Sequence, residues 1–202
     1  MPFKLISKIR KQLIEIPQHG LYLARPNQSH FEQWLSVRAE SADFLRPWEP
    51  EWPADDLTRL GYKRRLAAYE RHRQSGWGKT FFLFSETTDA LLGGVSLTRI
   101  TYGDQQSATL GYWMSKHYAG QGVMKKTVPA VLGFAFKTLG LQRVEAACLP
   151  TNLASMKVLE SSGFHREGFA REYLEINGKR EDHILFAILA ASFYNAPNNH
   201  QI

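Results

Sequence analysis

SATLGYWM, residues 107–114, reads as a β-strand, and four residues after it the loop AGQG, residues 119–122, feeds into an apolar helix that runs to about Leu139. A strand joined to a helix through a glycine loop aims free backbone N–H groups and the positive end of the helix dipole at one point, where an anion is favoured. The unit also demands other strands to pair with and other apolar faces to bury it, so the fold must mix helices with a sheet. The loop has neither the Lys-Ser/Thr of a nucleotide-binding P-loop nor the third glycine of a dinucleotide fingerprint. Taken alone, Gly120 and Gly122 also suit a tight turn.

The flanking sequence supplies the missing partners. Residues 21–25 read as a first strand, and Ser29 with Glu32 fits a capping box that opens a helix running to about Phe44. A Trp- and Pro-rich loop, residues 46–53, leads to a second helix over 55–74, stopped by Gly76 and Gly78. KTFFLFSE and LLGGVSLTRI form a hairpin, residues 143–148 a strand, and residues 153–162 a helix ended by Gly163. Two last strands, 167–176 and 180–189, flank Asn177-Gly178, the pair that favours a type I′ turn. The expected order is β-α-α-β-β-β-α-β-α-β-β, an α+β domain over residues 18–192 with a basic leader, 1–17, and a polar tail, 193–202.

With 202 residues, 44% of them hydrophobic and 22% charged, the chain has the composition of one globular domain rather than a disordered segment. The single cysteine, Cys148, excludes an intrachain disulfide framework and points to a reducing, cytoplasmic compartment. No apolar run approaches the about 18 residues of a membrane span. Seven histidines show no metal-ligand spacing, so no metal is expected. Most of the formal +6 sits at one end, where Lys4, Lys8, Arg10, Lys11 and Arg25 face only Glu15. With Leu5, Ile9, Leu13 and Ile16 at helical spacing, this leader suits contact with RNA, the ribosome, acidic protein or anionic lipid. Packing of its apolar side on the domain is the alternative.

The glycine loop is followed by NLASMKVLESSGF, residues 152–164. Together these motifs resemble the GCN5-related N-acetyltransferase (GNAT) superfamily, whose members bind acetyl-coenzyme A. The family loop, Gln/Arg-x-x-Gly-x-Gly/Ala, is met at Gly122, with Ala119 in place of Gln/Arg and Met124 in place of the small residue. The pattern Asn-x-x-Ser-x-x-x-Leu-x-x-x-Gly-Phe is met by Asn152, Ser155, Leu159, Gly163 and Phe164. FLRPWEP, LGYWM and EYLEINGKREDHILFAIL look most like the RimJ type, the ribosomal-protein-alanine N-acetyltransferases.

The resemblance implies a splayed, mixed, mostly antiparallel sheet flanked by helices. It also implies a site in which Trp113 and Met114 border the pantetheine arm. Ala119, Gly120, Gln121, Gly122, Val123 and Met124 would then hold the pyrophosphate, and Asn152 and Ser155 would contact the arm from the facing strand. An α-amine, with a pKa of about 7.7–8.0, sheds its proton more readily than a lysine near 10.4, so a weak base suffices. Glu49 is the leading base, with Asp182 and His117 behind it, and Ser155 is the proton donor to the leaving thiolate. A backbone N–H near Met114 would meet the oxyanion. Each has a plainer alternative: a loop carboxylate for Glu49, a helix N-cap for Asn152, and a hydroxyl bonded to a carbonyl one turn back for Ser155. The expected activity is transfer of acetyl from acetyl-coenzyme A to the N-terminal α-amine of a ribosomal protein. Its rivals are acetylation of a small amine, such as a polyamine or antibiotic, and a ribosome-assembly factor that keeps only the fold.

Overall fold

A computed structural model describes residues 13–195, in which eight strands hydrogen-bond in the order β1-β2-β3-β4-β5-β6-β8-β7. The strands are β1 (Leu13–Ile16), β2 (Leu21–Ala24), β3 (Lys79–Ser85), β4 (Leu91–Thr101), β5 (Ser107–Met114), β6 (Arg143–Cys148), β7 (His165–Ile176) and β8 (Lys179–Leu189). The helices are α1 (Phe31–Glu40), α2 (Ala42–Leu45), α3 (Arg59–Gln74), α4 (Val123–Gly133), α5 (Leu153–Ser161) and α6 (Ala190–Asn195). All pairings are antiparallel except that of β5 with β6. The α+β architecture and the mixed sheet expected from the sequence are present.

Alternation along β3 shows how the sheet acquires two buried faces. Phe81 and Leu83 join a core with Leu97, Leu110, Val128, Val131, Leu132 and Leu159, beneath α4, α5 and α6. Phe82 and Phe84 point to the other face and join a second cluster with Phe31 and Trp34 of α1 and Tyr62 of α3, whose ring packs against both of those. A strand buried on both faces reads as a continuous apolar run, as TFFLF does.

Several boundaries depart from the sequence expectation. Strand β1 lies in sequence assigned to the leader: Leu13, Ile14, Glu15 and Ile16 pair with β2, which ends at Ala24 rather than Arg25. Residues 1–12 lie outside the described residues. The Ser29–Glu32 capping box does not form, because Asn27 Oδ1 accepts from Ser29 N at 2.8 Å and opens a 3₁₀ turn before α1, while Glu32 pairs with Arg59. The first helix breaks at Ser41, which is fully buried, and resumes as the single turn α2. Helix α3 starts at Arg59, not at Asp55, behind the N-cap Thr58, whose Oγ1 accepts from Gly61 N at 3.0 Å. The long helix after the glycine loop is interrupted too. Pro129 inside α4 supplies no N–H, and residues 134–138 form a π turn. Helix α6 replaces the start of the expected tail. No helix among the described residues is long and apolar enough to cross a membrane.

The feature that positions the site is a split. Strands β5 and β6 pair only at Ser107↔Arg143, Ala108↔Val144 and Thr109↔Glu145. Beyond Thr109, β5 keeps its pairing with β4 as far as Met114↔Gly93, while β6 stays with β8 as far as Cys148↔Ile184. The bulge between Thr98 and Thr101, with Arg99 at φ 52°, lies on the β4 side of β5. The sheet therefore opens into a V whose arms are residues 110–114 and 146–148.

Candidate active site

One arm of the V leads into the glycine loop. Gly122 is the N-cap of α4 at φ 73°, no side chain caps this terminus, and a Cβ at Gly122 would meet no atom within 4 Å. The first-turn amides of α4 thus have no side-chain acceptor. The nearby charges reinforce this: the first turn holds no acidic residue, and Lys116, Lys125 and Lys126 are exposed around it. Cations at a helix N-terminus oppose the dipole, an arrangement that becomes favourable once an anion sits between them. Ala119, Gly120 and Gln121 complete the loop, with Gln121 Nε2 donating to His117 O at 2.7 Å. Val123 and Met124 turn their side chains into the core, Met124 being buried, so only their backbone faces the loop.

The loop is tied down from the other side of the sheet. Lys116 N donates to the Oγ of buried Ser41 at 3.1 Å, and His117 meets Glu40 at 3.1 Å. Hydrogen bonds from Ser36 and His117 hold the Glu40 carboxyl below its ordinary range. Ser115 N is already bonded to Leu92 O at 2.8 Å, so this amide next to Met114 is not a free oxyanion donor. Trp113 lies half-buried, its indole packed on β4 so closely that a Cβ at Gly94 would sit 2.4 Å from Nε1. Glycine at that position is what lets the ring come this close to the strand.

Across the V, Asn152 Oδ1 accepts from Ser155 N at 3.0 Å and caps α5. Ser155 Oγ lies 2.8 Å from Tyr112 Oη, which also donates to Ser155 O at 3.2 Å. This pair bridges the two arms. Burial pushes the Tyr112 phenol far above its ordinary range, and burial also raises the thiol of Cys148, which is buried in β6.

The third component approaches from the Trp-Pro loop. Glu49 follows a short 3₁₀ turn, and both its carboxylate oxygens accept from Arg38, at 2.7 and 2.5 Å, while Trp52 Nε1 donates at 2.7 Å. The Arg38 guanidinium sits 4.0 Å from the Trp52 ring centroid and 5.2 Å from that of Trp113. Glu49 O accepts from Asn177 N at 2.9 Å, which fixes the tip of the β7–β8 hairpin against the loop. That tip has Asn177 at φ 46° and Gly178 at φ 79°, as a type I′ turn requires. A small cavity of about 230 Å³ opens here, lined by Pro47, Leu149, Ile176, Asn177, Lys179 and Glu181.

The structure thus brings the glycine loop, Trp113 and Met114 to one arm of the V, Asn152 and Ser155 to the other, and links Glu49 to Trp113 through Arg38. Asp182 instead accepts from Glu172 N at 2.8 Å in the hairpin, and His117 lies at the loop, paired with Glu40. Trp48, in the same Trp-Pro loop, is exposed. No cluster of metal-ligating residues occurs among the described residues. Sequence reasoning missed Arg38, Ser41 and Tyr112. Only Tyr112 carried a signal, since it shares the inward face of β5 with Leu110 and Met114 yet ends in a hydroxyl.

The family model described as Acetyltransferase (GNAT) domain matches residues 21–165. The chain is 39% identical over 158 residues to the probable N-acetyltransferase YjcK of Bacillus subtilis, covering 78% of this chain and 87% of the relative. It is 29% identical over 150 residues to the ribosomal protein uS5-alanine N-acetyltransferase of Escherichia coli, covering 74% and 77%. Among solved structures, Mycobacterium smegmatis RimJ in complex with CoA-disulfide superposes with a TM-score of 0.81 at 25% identity, covering 86% of each chain.

Proposed function

Because the chain belongs to the GNAT acetyltransferase family, we propose that it acetylates the N-terminal α-amine of a protein, with a ribosomal protein beginning in alanine as the acceptor. The observation that carries this reading is the V between β5 and β6, with uncapped, lysine-flanked amides at one side and the Glu49 loop facing the hairpin tip at the other. The relatives named for uS5-alanine and RimJ support the finer assignment.

The residues fit acetyl-coenzyme A. Residues 119–124 offer backbone N–H groups to a pyrophosphate, and charge-assisted bonds of this kind stabilise by about 1.5–3 kcal/mol each. The edge of β5 over residues 110–114, free of β6, offers an extended arm a strand to pair with beside Trp113 and Met114. Acetyl-coenzyme A supplies the activated acyl group. Glu49 accepts the proton of the incoming ammonium, directly or through water. Arg38 and Trp52 hold its carboxylate in one orientation. Ser155 passes its proton to the departing sulfur and takes in its place the proton that the nitrogen of the tetrahedral intermediate gives up, and Tyr112, bonded to it, orients that hydroxyl. Asn152 holds the start of α5 in place and lines the same side. The cavity at Pro47, Leu149 and Ile176 receives the first side chains of the acceptor. The basic leader contacts the cytoplasmic ribosomal particle that bears the acceptor.

Incubating the protein with acetyl-coenzyme A and an array of peptides differing in their first residues, read by mass spectrometry, tests this. Transfer concentrated on peptides beginning in alanine supports the assignment. Transfer to polyamines with none to peptides overturns it.

A further inference from the structure

A second concavity lies at the other end of α4. It is a groove of about 1050 Å³ whose lining includes Ala130, Gly133 and Phe134, whereas the glycine loop occupies the N-terminal end of that helix. One side is α3. The floor is an open strand edge: β2 pairs with β3 only as far as Phe82, and residues 79–81 have no strand on that side among the described residues. The groove belongs to neither the V nor the Glu49 loop.

Its charge is unbalanced. Arg25, Lys63, Arg73 and Lys79 line it against Glu15 and Glu70. Arg25 and Arg73 share Glu70, with Arg73 at 2.6 Å, so one carboxylate answers two guanidinium groups. Lys79 stands beside both, and burial together with the repulsion of Arg73 and Arg25 lowers its proton affinity. Such a site carries a standing positive potential that an external anion would relieve. Tyr69 and Phe134 add aromatic walls.

From this combination we infer that the groove binds a segment of single-stranded RNA, its phosphates on Arg25, Lys63, Arg73 and Lys79 and its bases against Tyr69 and Phe134. The concave shape excludes a flat bilayer. Rings interleaved with cations suit the stacked bases and phosphates of a nucleic acid strand better than the carboxylates of an acidic peptide. The volume is at the upper limit of the about 300–1,000 Å³ of ordinary small-ligand pockets, which suits a polymer segment. This site is independent of acetyl transfer.

Fluorescence anisotropy of the full-length protein with a labelled oligouridylate, titrated over a range of salt, tests it. Four neutralised phosphates predict a log–log salt slope of about −3 for a single strand. Lys79→Glu and, separately, Lys63→Glu should each weaken binding by roughly three- to tenfold and flatten the slope, with thermal melting and short-peptide acetylation at wild-type levels. Arg171→Glu, the same charge change on exposed β7, should leave binding intact. Equal loss in Arg171→Glu, no binding at low salt, or equal competition by polyglutamate or anionic vesicles would each overturn the assignment. The exposed Lys63 keeps the test decisive if Lys79→Glu fails to fold.

Discussion

Arg38, which is 3% exposed, donates to both carboxylate oxygens of Glu49, at 2.7 and 2.5 Å. This fork makes Glu49 a fixed group rather than a mobile loop carboxylate, and it makes the loop's position depend on a cation in helix α1. Glu49→Gln keeps the shape and removes the charge. Stranding a buried cation in this way costs about 3–5 kcal/mol when both partners are buried; here the 21% exposure of the Glu49 side chain places the loss near the lower end. As a general base, Glu49 is expected to contribute about 10²–10⁴ to kcat. Steady-state kinetics with thermal denaturation separate the two effects. A destabilised variant with wild-type kcat would leave Glu49 a clamp and nothing more.

Tyr112 and Ser155 should behave as one unit. Ser155→Ala removes the proton donor and is expected to lower kcat by about tenfold or more, while Tyr112→Phe, which only frees the Ser155 hydroxyl to rotate, should cost less. Once Ser155 is absent, Tyr112→Phe should have no further effect on kcat. A double-mutant cycle reads the coupling, and additive effects would show that the phenol acts elsewhere.

Gly122→Asp tests the loop. An aspartate at φ 73° costs about 1–2 kcal/mol of backbone strain, partly offset by an acidic group at a helix N-terminus. Its Cβ would meet no neighbouring atom within 4 Å, so the fold should survive. Loss of one or two amide contacts plus repulsion should weaken acetyl-coenzyme A by about 2–5 kcal/mol, or roughly 30-fold to several thousand-fold. Calorimetric titration beside a melt of the unliganded variant distinguishes binding loss from unfolding.

The order of elements around the glycine loop was legible because each signal is local. Gly122 marks a helix start, Asn152 an N-cap, and Asn177-Gly178 a I′ turn, and each works through its own backbone. What escaped depends on residues far apart in sequence. Arg38 looks like any solvated helix cation until residues 49, 52 and 113 close around it. Ser41 breaks α1 where its hydroxyl meets Lys116, a partner 75 positions away. Strand β1 was obscured by its basic surroundings, since four residues paired only with β2 carry little pattern of their own.

Glu70 carries the clearest pH signature. Hydrogen bonds from Arg73, then Gln74, with the charge of Arg25, bring its carboxyl from 4.5 down to about 2. A group depressed in the folded state stabilises above its unfolded pKa, and that contribution is lost as pH falls through the folded value. Glu70→Gln should therefore melt below wild type at pH 6 and converge with it between pH 4.5 and about 2. Melting curves over that range check this, and a constant gap down to pH 2 would contradict it.

A competition between two acceptors in one peptide shows which amine the protein acetylates. A peptide with a free N-terminal alanine and an internal lysine, incubated with acetyl-coenzyme A and sequenced by tandem mass spectrometry, reports which nitrogen is modified. Acetylation confined to the α-amine, and abolished when that amine is blocked, is the predicted result. Modification of the lysine at an equal or greater rate, or no acetylation of any peptide by a folded protein that binds acetyl-coenzyme A, would contradict the account.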